Sequence, residues 1–156
     1  MTKTLIMRRK ASDNKYLHKD FHGALSCGME YLRRRYGKKA VYDYLKKFAK
    51  TYYAPLRRKI KKRGFSALKE YFQKIYKEES GIVKFKTTET QLMISVKKCP
   101  AICHMKAKGY QISPLFCETT RIMNEEICRG TPIKAVLAYF SAAEGKCTQI
   151  FSRRES

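Results

Sequence analysis

Apolar residues recur at steps of three and four through the first half of the chain. Phe21, Leu25, Gly28, Met29, Leu32 and Tyr36 share one face, which predicts a helix over about 17–36. Gly37 suits a left-handed stop. Val41, Tyr44, Leu45, Phe48 and Tyr52 form one stripe of a second helix, 38–52, expected to face inward. Pro55 disfavours a helical residue before it and so breaks that helix at Ala54. A short helix from Pro55 to Arg63 then ends at Gly64. Ser66 is the expected cap of a fourth, with Leu68, Tyr71, Phe72, Ile75 and Tyr76 inward and Gly81 beyond its end.

The period then changes to two. Leu92, Ile94 and Val96 alternate with Met93, Ser95 and Lys97, the pattern of a half-buried strand. Strands are expected at Ile82 to Thr87 and Gln91 to Lys98, around the turn 87–90. Cys99-Pro100 opens a short helix that stops near Gly109, and Ser113-Pro114 opens another that runs to about Arg129. A last strand pair, Thr131 to Phe140 and Cys147 to Ser152, surrounds Glu144-Gly145. N-terminal helices followed by a β-hairpin, two helices and a second β-hairpin make an α+β fold with an antiparallel sheet. Residues 15–156 read as one domain, preceded by a flexible basic arm over 1–14.

Charge alters this picture more than composition does. The 156 residues carry 35 Lys+Arg and 13 Asp+Glu, a formal net charge of +22, while 44% are hydrophobic. That apolar fraction excludes wholesale disorder. No stretch approaches the ~20 apolar residues of a membrane span, and the apolar patch Leu5 to Met7 is too short for a secretory signal. The expectation is a soluble protein of the cytoplasm. Residues 1–80 contain 23 basic and 7 acidic residues, concentrated in RRRYGKK (33–39) and RRKIKKR (57–63). Such a surface attracts polyanions non-specifically. No ribonucleoprotein motif, zinc finger or KH-type GxxG accompanies it. Tyr36, Tyr42, Tyr44, Tyr52 and Tyr53 interleave with lysines, mostly at the spacing of a helix core. A solvated basic face is the plain reading, and a nucleic-acid-binding protein the alternative.

Six cysteines, without a secretory signal, read as reduced thiols. No pair has a two-residue gap; Cys99, Cys103 and His104 cluster, but at no standard zinc spacing. No cofactor is expected, and zinc is the one metal alternative. Cys99 stands at a helix N-cap and Cys117 in a first helical turn, where N–H groups and the helix dipole lower a thiol's pKa. Thr120, Arg121, Asn124 and Cys128 follow Cys117 at +3, +4, +7 and +11. Arg121 is suited to a bidentate grip on a small carboxylate, or else to an ordinary helix-surface pair with Glu125. His18 and His22 lie four apart. His22 is a candidate proton carrier, since its ordinary pKa lies near neutrality, and Glu118 is the other.

DFHGALSCGMEYLRRRYG (20–37), YAP (53–55), VKKCPA (96–101), SPLFCETTRIMNEEICRGT (113–131) and GKCTQIF (145–151) resemble the L-2-amino-thiazoline-4-carboxylate hydrolase family. The resemblance covers about 16–151. It implies a hydrolase that adds water at the ring carbon between sulfur and nitrogen, breaks the carbon–sulfur bond and yields an N-carbamoyl cysteine. On that reading Arg121, with Thr120 and Asn124 beside it, holds a small anionic substrate. Cys117 or Cys99 attacks the ring carbon or hydrogen-bonds the ring, and His22 or Glu118 moves protons. The second half more weakly resembles vinyl-reductase-type small-ligand domains, which often bind zinc through a Glu and three cysteines. Cys117 and Cys147 have counterparts there; the Glu and remaining Cys of the last strand pair are absent. A non-enzymatic small-molecule-binding module is therefore the main rival to the hydrolase.

Overall fold

A computed structural model describes residues 15–155, with side chains from Lys19 onward. The basic arm expected over 1–14 and the side chain of His18 lie outside the described residues. The first long helix, α1 (Lys15–Tyr52), is broken at Gly37, whose φ of 83° and ψ of 174° are non-helical. An L side chain is strained at that φ, so glycine is what lets the two arms meet there. Two short helices follow, α2 (Ala54–Arg63) and α3 (Phe65–Glu78). Then come β1 (Ile82–Thr87), β2 (Gln91–Lys98), α4 (Pro100–Lys108), α5 (Glu118–Cys128), β3 (Ile133–Ser141) and β4 (Lys146–Arg153). The strands form one antiparallel sheet in the order β1-β2-β4-β3, so the chain is α+β.

The interior has two apolar clusters. In one, Leu56, Ile60, Leu68 and Phe72 of α2 and α3 pack on Leu92, Ile94 and Phe151 of the sheet. In the other, Met29, Val41 and Leu45 of α1 pack on Ile102 and Met105 of α4 and Ile122 of α5. Cys99 packs against both. The main-chain N–H of Cys99 also donates to the carbonyl of Gly145 in the β3–β4 turn, at 2.7 Å. That bond draws the start of α4 against the end of the last hairpin.

Several expected details differ. Ser66 does not cap α3; Gly64 occupies that position and Ser66 Oγ donates back to the carbonyl of Arg63. The segment opened by Ser113-Pro114 is not yet α-helix. Phe116, Glu118 and Thr119 donate to carbonyls three residues back, a tighter winding than the four-residue α step. Ser113 is fixed by tertiary bonds: its N–H donates to Ser26 Oγ at 2.8 Å and its Oγ to Glu30 at 3.3 Å. The α-helix therefore starts at Glu118 and leaves Cys117 at the N-cap. The largest difference is on α1. Val41 and Leu45 are fully buried, but Tyr44, Phe48 and Tyr52, assigned to the same inward stripe, are 45%, 38% and 64% exposed. Phe21 and Tyr36 likewise face outward. A three-and-four spacing defines a stripe wider than the surface the core can cover, and only its inner edge is buried.

Candidate functional site

Three cysteines from remote segments meet at one hollow: Cys99 before α4, Cys117 before α5 and Cys147 on β4. Each arrives by a different route. Pro100 fixes the first turn of α4 and leaves Cys99 at the N-cap. The tight winding after Ser113 brings Cys117 to the entrance of α5. Cys147 alternates inward with Gln149 and Phe151 along β4. The hollow has a volume of about 30 Å³ and a mainly apolar wall that includes Ile102, Phe116 and Leu137.

A break in strand register sets the outer wall. Leu137 pairs with Gln149, but Tyr139 pairs with Thr148 and Phe140 with Cys147, so Ala138 is an extra residue on β3. One extra residue reverses which face the following side chains occupy. Phe140 thereby turns inward over the hollow with Cys147, while remaining 48% exposed.

A buried polar chain backs the sulfur of Cys147. Asn124 Nδ2 donates to Gln149 Oε1 at 2.8 Å, and Gln149 Nε2 donates to Tyr76 Oη at 2.9 Å and to Cys147 Sγ at 3.5 Å. Asn124 and Gln149 are 5% and 1% exposed, so their amides need these partners. Nearby, His22 Nε2 donates to Glu79 Oε2 at 2.9 Å, and the His22 ring meets Phe116 edge-on. Phe116 stands between that pair and the hollow as part of its wall.

The electrostatics reverse the expected thiolates. Burial pushes the Cys117 and Cys147 thiols up to about 11, with neighbouring sulfurs adding to the effect. Burial also raises Cys99, against main-chain hydrogen bonds from the first turn of α4 that act the other way. At both N-caps desolvation outweighs the helix N-terminus. The three sulfurs are thus neutral thiols near neutral pH.

Of the expected site residues, the structure brings Cys99, Cys117 and Thr120 together at the hollow and links Asn124 to it through Gln149. It does not bring Arg121, Glu118 or His22 to the wall. Arg121 donates to Glu118 at 2.6 Å and to Glu125 at 3.0 Å, and its guanidinium lies over the Tyr42 ring. The expected carboxylate grip is replaced by intrahelical ion pairs that also occupy Glu118. Cys128, grouped with Cys117 by helical spacing, is buried in the apolar cluster of α2, α3 and the sheet, where burial raises its pKa to about 12. His104 bonds Asp20 at 2.7 Å and does not converge with Cys99 and Cys103. Among the described residues no group of three or more Cys, His, Asp and Glu is arranged to hold a metal ion. Sequence reasoning misses Gln149, Tyr76 and Glu79. A polar residue at an inward position of an otherwise alternating strand is the signal that finds Gln149.

No protein-family model matches the chain, and no curated protein and no solved structure matches it. The hollow offers three polarizable, uncharged sulfurs, the hydroxyl-bearing Thr120 and a dry wall, with Ser141 and Lys146 at its rim; Lys146 Nζ itself lies 3.6 Å from the Glu144 carboxylate. That set suits contact with a compact apolar or sulfur-containing group.

Proposed function

We propose that this chain is a small-molecule-binding protein whose site is the hollow between Cys99, Cys117 and Cys147. Its ligand is a compact ring with soft or apolar atoms facing the sulfurs and any polar substituent at the open rim, where β4 begins at Lys146. The observation that carries this reading is the meeting of three remote thiols at one apolar hollow. A volume of about 30 Å³ has room for roughly one water. A ring enters by displacing Phe140, which sits at the end of an edge strand with nearly half its surface in solvent. Reduced thiols fit the cytoplasm.

Ring opening of a 2-amino-thiazoline-4-carboxylate is the second reading, favoured by the sequence blocks around Cys99, Cys117 and Cys147. In it Cys117 Sγ gives its proton to the carrier and attacks the ring carbon. The ring carbon–sulfur bond breaks with that proton passing to the departing sulfur, and water then releases N-carbamoyl cysteine and the free Cys117 thiol. In the non-covalent form the thiol hydrogen-bonds the ring while water attacks and the same bond breaks. Covalent attack divides one hard step into two. The proton carrier is the His22–Glu79 pair, which reaches the hollow once Phe116 shifts. The present placement of His22, Glu118 and Arg121 off the wall ranks binding ahead of hydrolysis.

One experiment tests both. L-2-amino-thiazoline-4-carboxylate is titrated calorimetrically, and N-carbamoyl cysteine is assayed in the same samples. Saturable binding that Cys117→Ala and Cys147→Ala each weaken, without product, supports the binding module. Product that disappears with Cys117→Ala supports the hydrolase. A ring that neither binds nor reacts removes this ligand class. Equal binding by parent and both variants removes the hollow as its site.

A further inference from the structure

The outward edge of α1 carries a second feature, independent of the hollow. Tyr44, Phe48 and Tyr52 lie four residues apart, and their rings stack along the helix. Tyr44 and Phe48 have centroids 6.5 Å apart at 25°, and Phe48 and Tyr52 are 5.2 Å apart at 15°. The stack is rooted in the interior. Tyr53 meets Tyr52 edge-on at 5.0 Å, and Tyr71 meets Tyr53 at 6.0 Å. Three large exposed rings are thus held in nearly parallel planes before any partner arrives. Their orientation is paid for in folding, so less ordering is needed on contact.

The surrounding charge is strongly one-sided. Residues 33–63 hold 14 Lys and Arg and a single acidic residue, Asp43. Lys46, Lys47 and Lys50 are exposed on the same arm, and no carboxylate among the described residues pairs with them. Lys47 follows Tyr44 by three residues, a spacing that makes them neighbours on the helix surface.

We infer that the Tyr44–Phe48–Tyr52 ladder and its flanking lysines form a binding platform for single-stranded nucleic acid, with bases stacking on the outer faces of Tyr44 and Tyr52, Phe48 being covered between them, and phosphates against the lysines. Parallel aromatic planes beside cations suit unpaired bases of any sequence, because every base has a π-face. A second copy of this chain would bring the same positive charge to the contact. A bilayer interface also accepts aromatic rings, but a helix lying in it buries an aliphatic stripe beside them, and here Val41, Leu45 and Ala49 are all turned inward. The platform reads the base and not the sugar, so RNA and DNA strands engage it alike.

Fluorescence anisotropy of the full chain with labelled dodecamers of uridine and of thymidine tests this across a salt series. Both strands bind more tightly than a duplex of equal length. Tyr52→Ala and Tyr44→Ala, at exposed positions, each weaken single-strand binding by about five- to a hundredfold, the range for removing one stacked base. Lys47→Gln with Lys50→Gln lowers the salt slope by about 0.7 for each phosphate that is no longer neutralised. Unchanged single-strand affinity in the Tyr44→Ala/Tyr52→Ala double variant overturns the proposal, as does a duplex that binds equally well. A tenfold preference between the two sugars overturns it too. Binding to phosphatidylserine vesicles in place of both strands, or a dimer dissolved by Tyr52→Ala, would assign the rings to a membrane or to self-association instead.

Discussion

The thiol hollow and the aromatic ladder are made in opposite ways. The hollow is assembled from the starts of α4, α5 and β4 and the end of β3, so it exists only when the whole fold exists. Its thiols are neutral and largely desolvated, and Cys147 is hydrogen-bonded from behind by Gln149. The ladder lies on one arm of one helix, in water, among exposed lysines. Long-range convergence produces a site sensitive to any change in packing. A local surface series produces one that can be altered with little effect on the fold.

The largest effect that sharpens this contrast comes from Gln149→Ala. It leaves the Asn124 amide and the Tyr76 hydroxyl without their partner in a buried setting, at about 1–3 kcal/mol for each unsatisfied group. A fall of about 3 kcal/mol in unfolding free energy is expected by urea titration, at unchanged slope. A decrease smaller than about 0.5 kcal/mol, the range of an ordinary surface substitution, would show that the polar chain behind Cys147 does not hold the hollow together.

The hollow is also sensitive to pH, from both sides. On the acid side the sensitive group is Glu30, which accepts from Arg33 and Arg34 and from Ser113 Oγ. The Arg33 and Arg34 guanidinium groups hold its carboxyl down to about 2, with burial opposing them. A lowered folded pKa gives stability that is fully present above the unfolded value of about 4.3 and lost as pH falls towards 2. Because Glu30 also fixes the Ser113 turn before Cys117, acid should loosen the hollow first. Glu30→Gln is expected to flatten the stability loss between pH ~4.3 and 2, followed by thermal denaturation. An unaltered acid limb in that variant would place the sensitivity elsewhere.

On the alkaline side the sign is reversed. Cys117 and Cys147 have folded pKa values raised to about 11, above an unfolded value of about 8.5. Keeping them neutral adds stability that is intact below the unfolded value and is lost as pH rises towards 11. Site-resolved iodoacetamide labelling should modify exposed Cys27 first at neutral pH. Labelling of Cys117 and Cys147 should climb steeply only as pH approaches 11. Fast labelling of Cys117 at pH 7 would establish a thiolate there and return the nucleophile to the front of the account.

The same contrast explains what is legible in the chain alone. The β1 and β2 boundaries follow directly from alternation and turn chemistry, and the Gly37 break and the Cys99 cap follow from glycine and proline. These signals are local. The Ser113–Cys117 segment is not legible because Ser26 and Glu30, more than 80 residues away, determine its winding. Arg121 is legible only as two alternatives, and the local one, pairing along the helix, is what forms. A helix start at Cys117 is visible in the sequence, but the desolvation of its sulfur is not, and desolvation is the larger effect. The ladder shows the reverse failure. Its spacing is plain in the sequence, but spacing alone does not say which edge of a stripe the core will cover.

The smallest expected effect is also the most discriminating. Tyr52 is 64% exposed, and its ring packs on the rings of Phe48 and Tyr53, so Tyr52→Ala removes little buried surface. Its stability cost should stay within about 0.5 kcal/mol, as for surface substitutions away from special features. Edge-to-face and stacked pairs contribute about 0.5–1.5 kcal/mol beyond their area when well buried. A cost at or above about 1.5 kcal/mol by urea denaturation, the top of that range, would therefore show that the ladder braces the α1–α2 corner. Its rings would then be structural, and the charge around them would act on polyanions without an aromatic platform. A cost near zero leaves three ordered rings on the surface of a protein with a net charge of +22, and stability then gives no reason for their order.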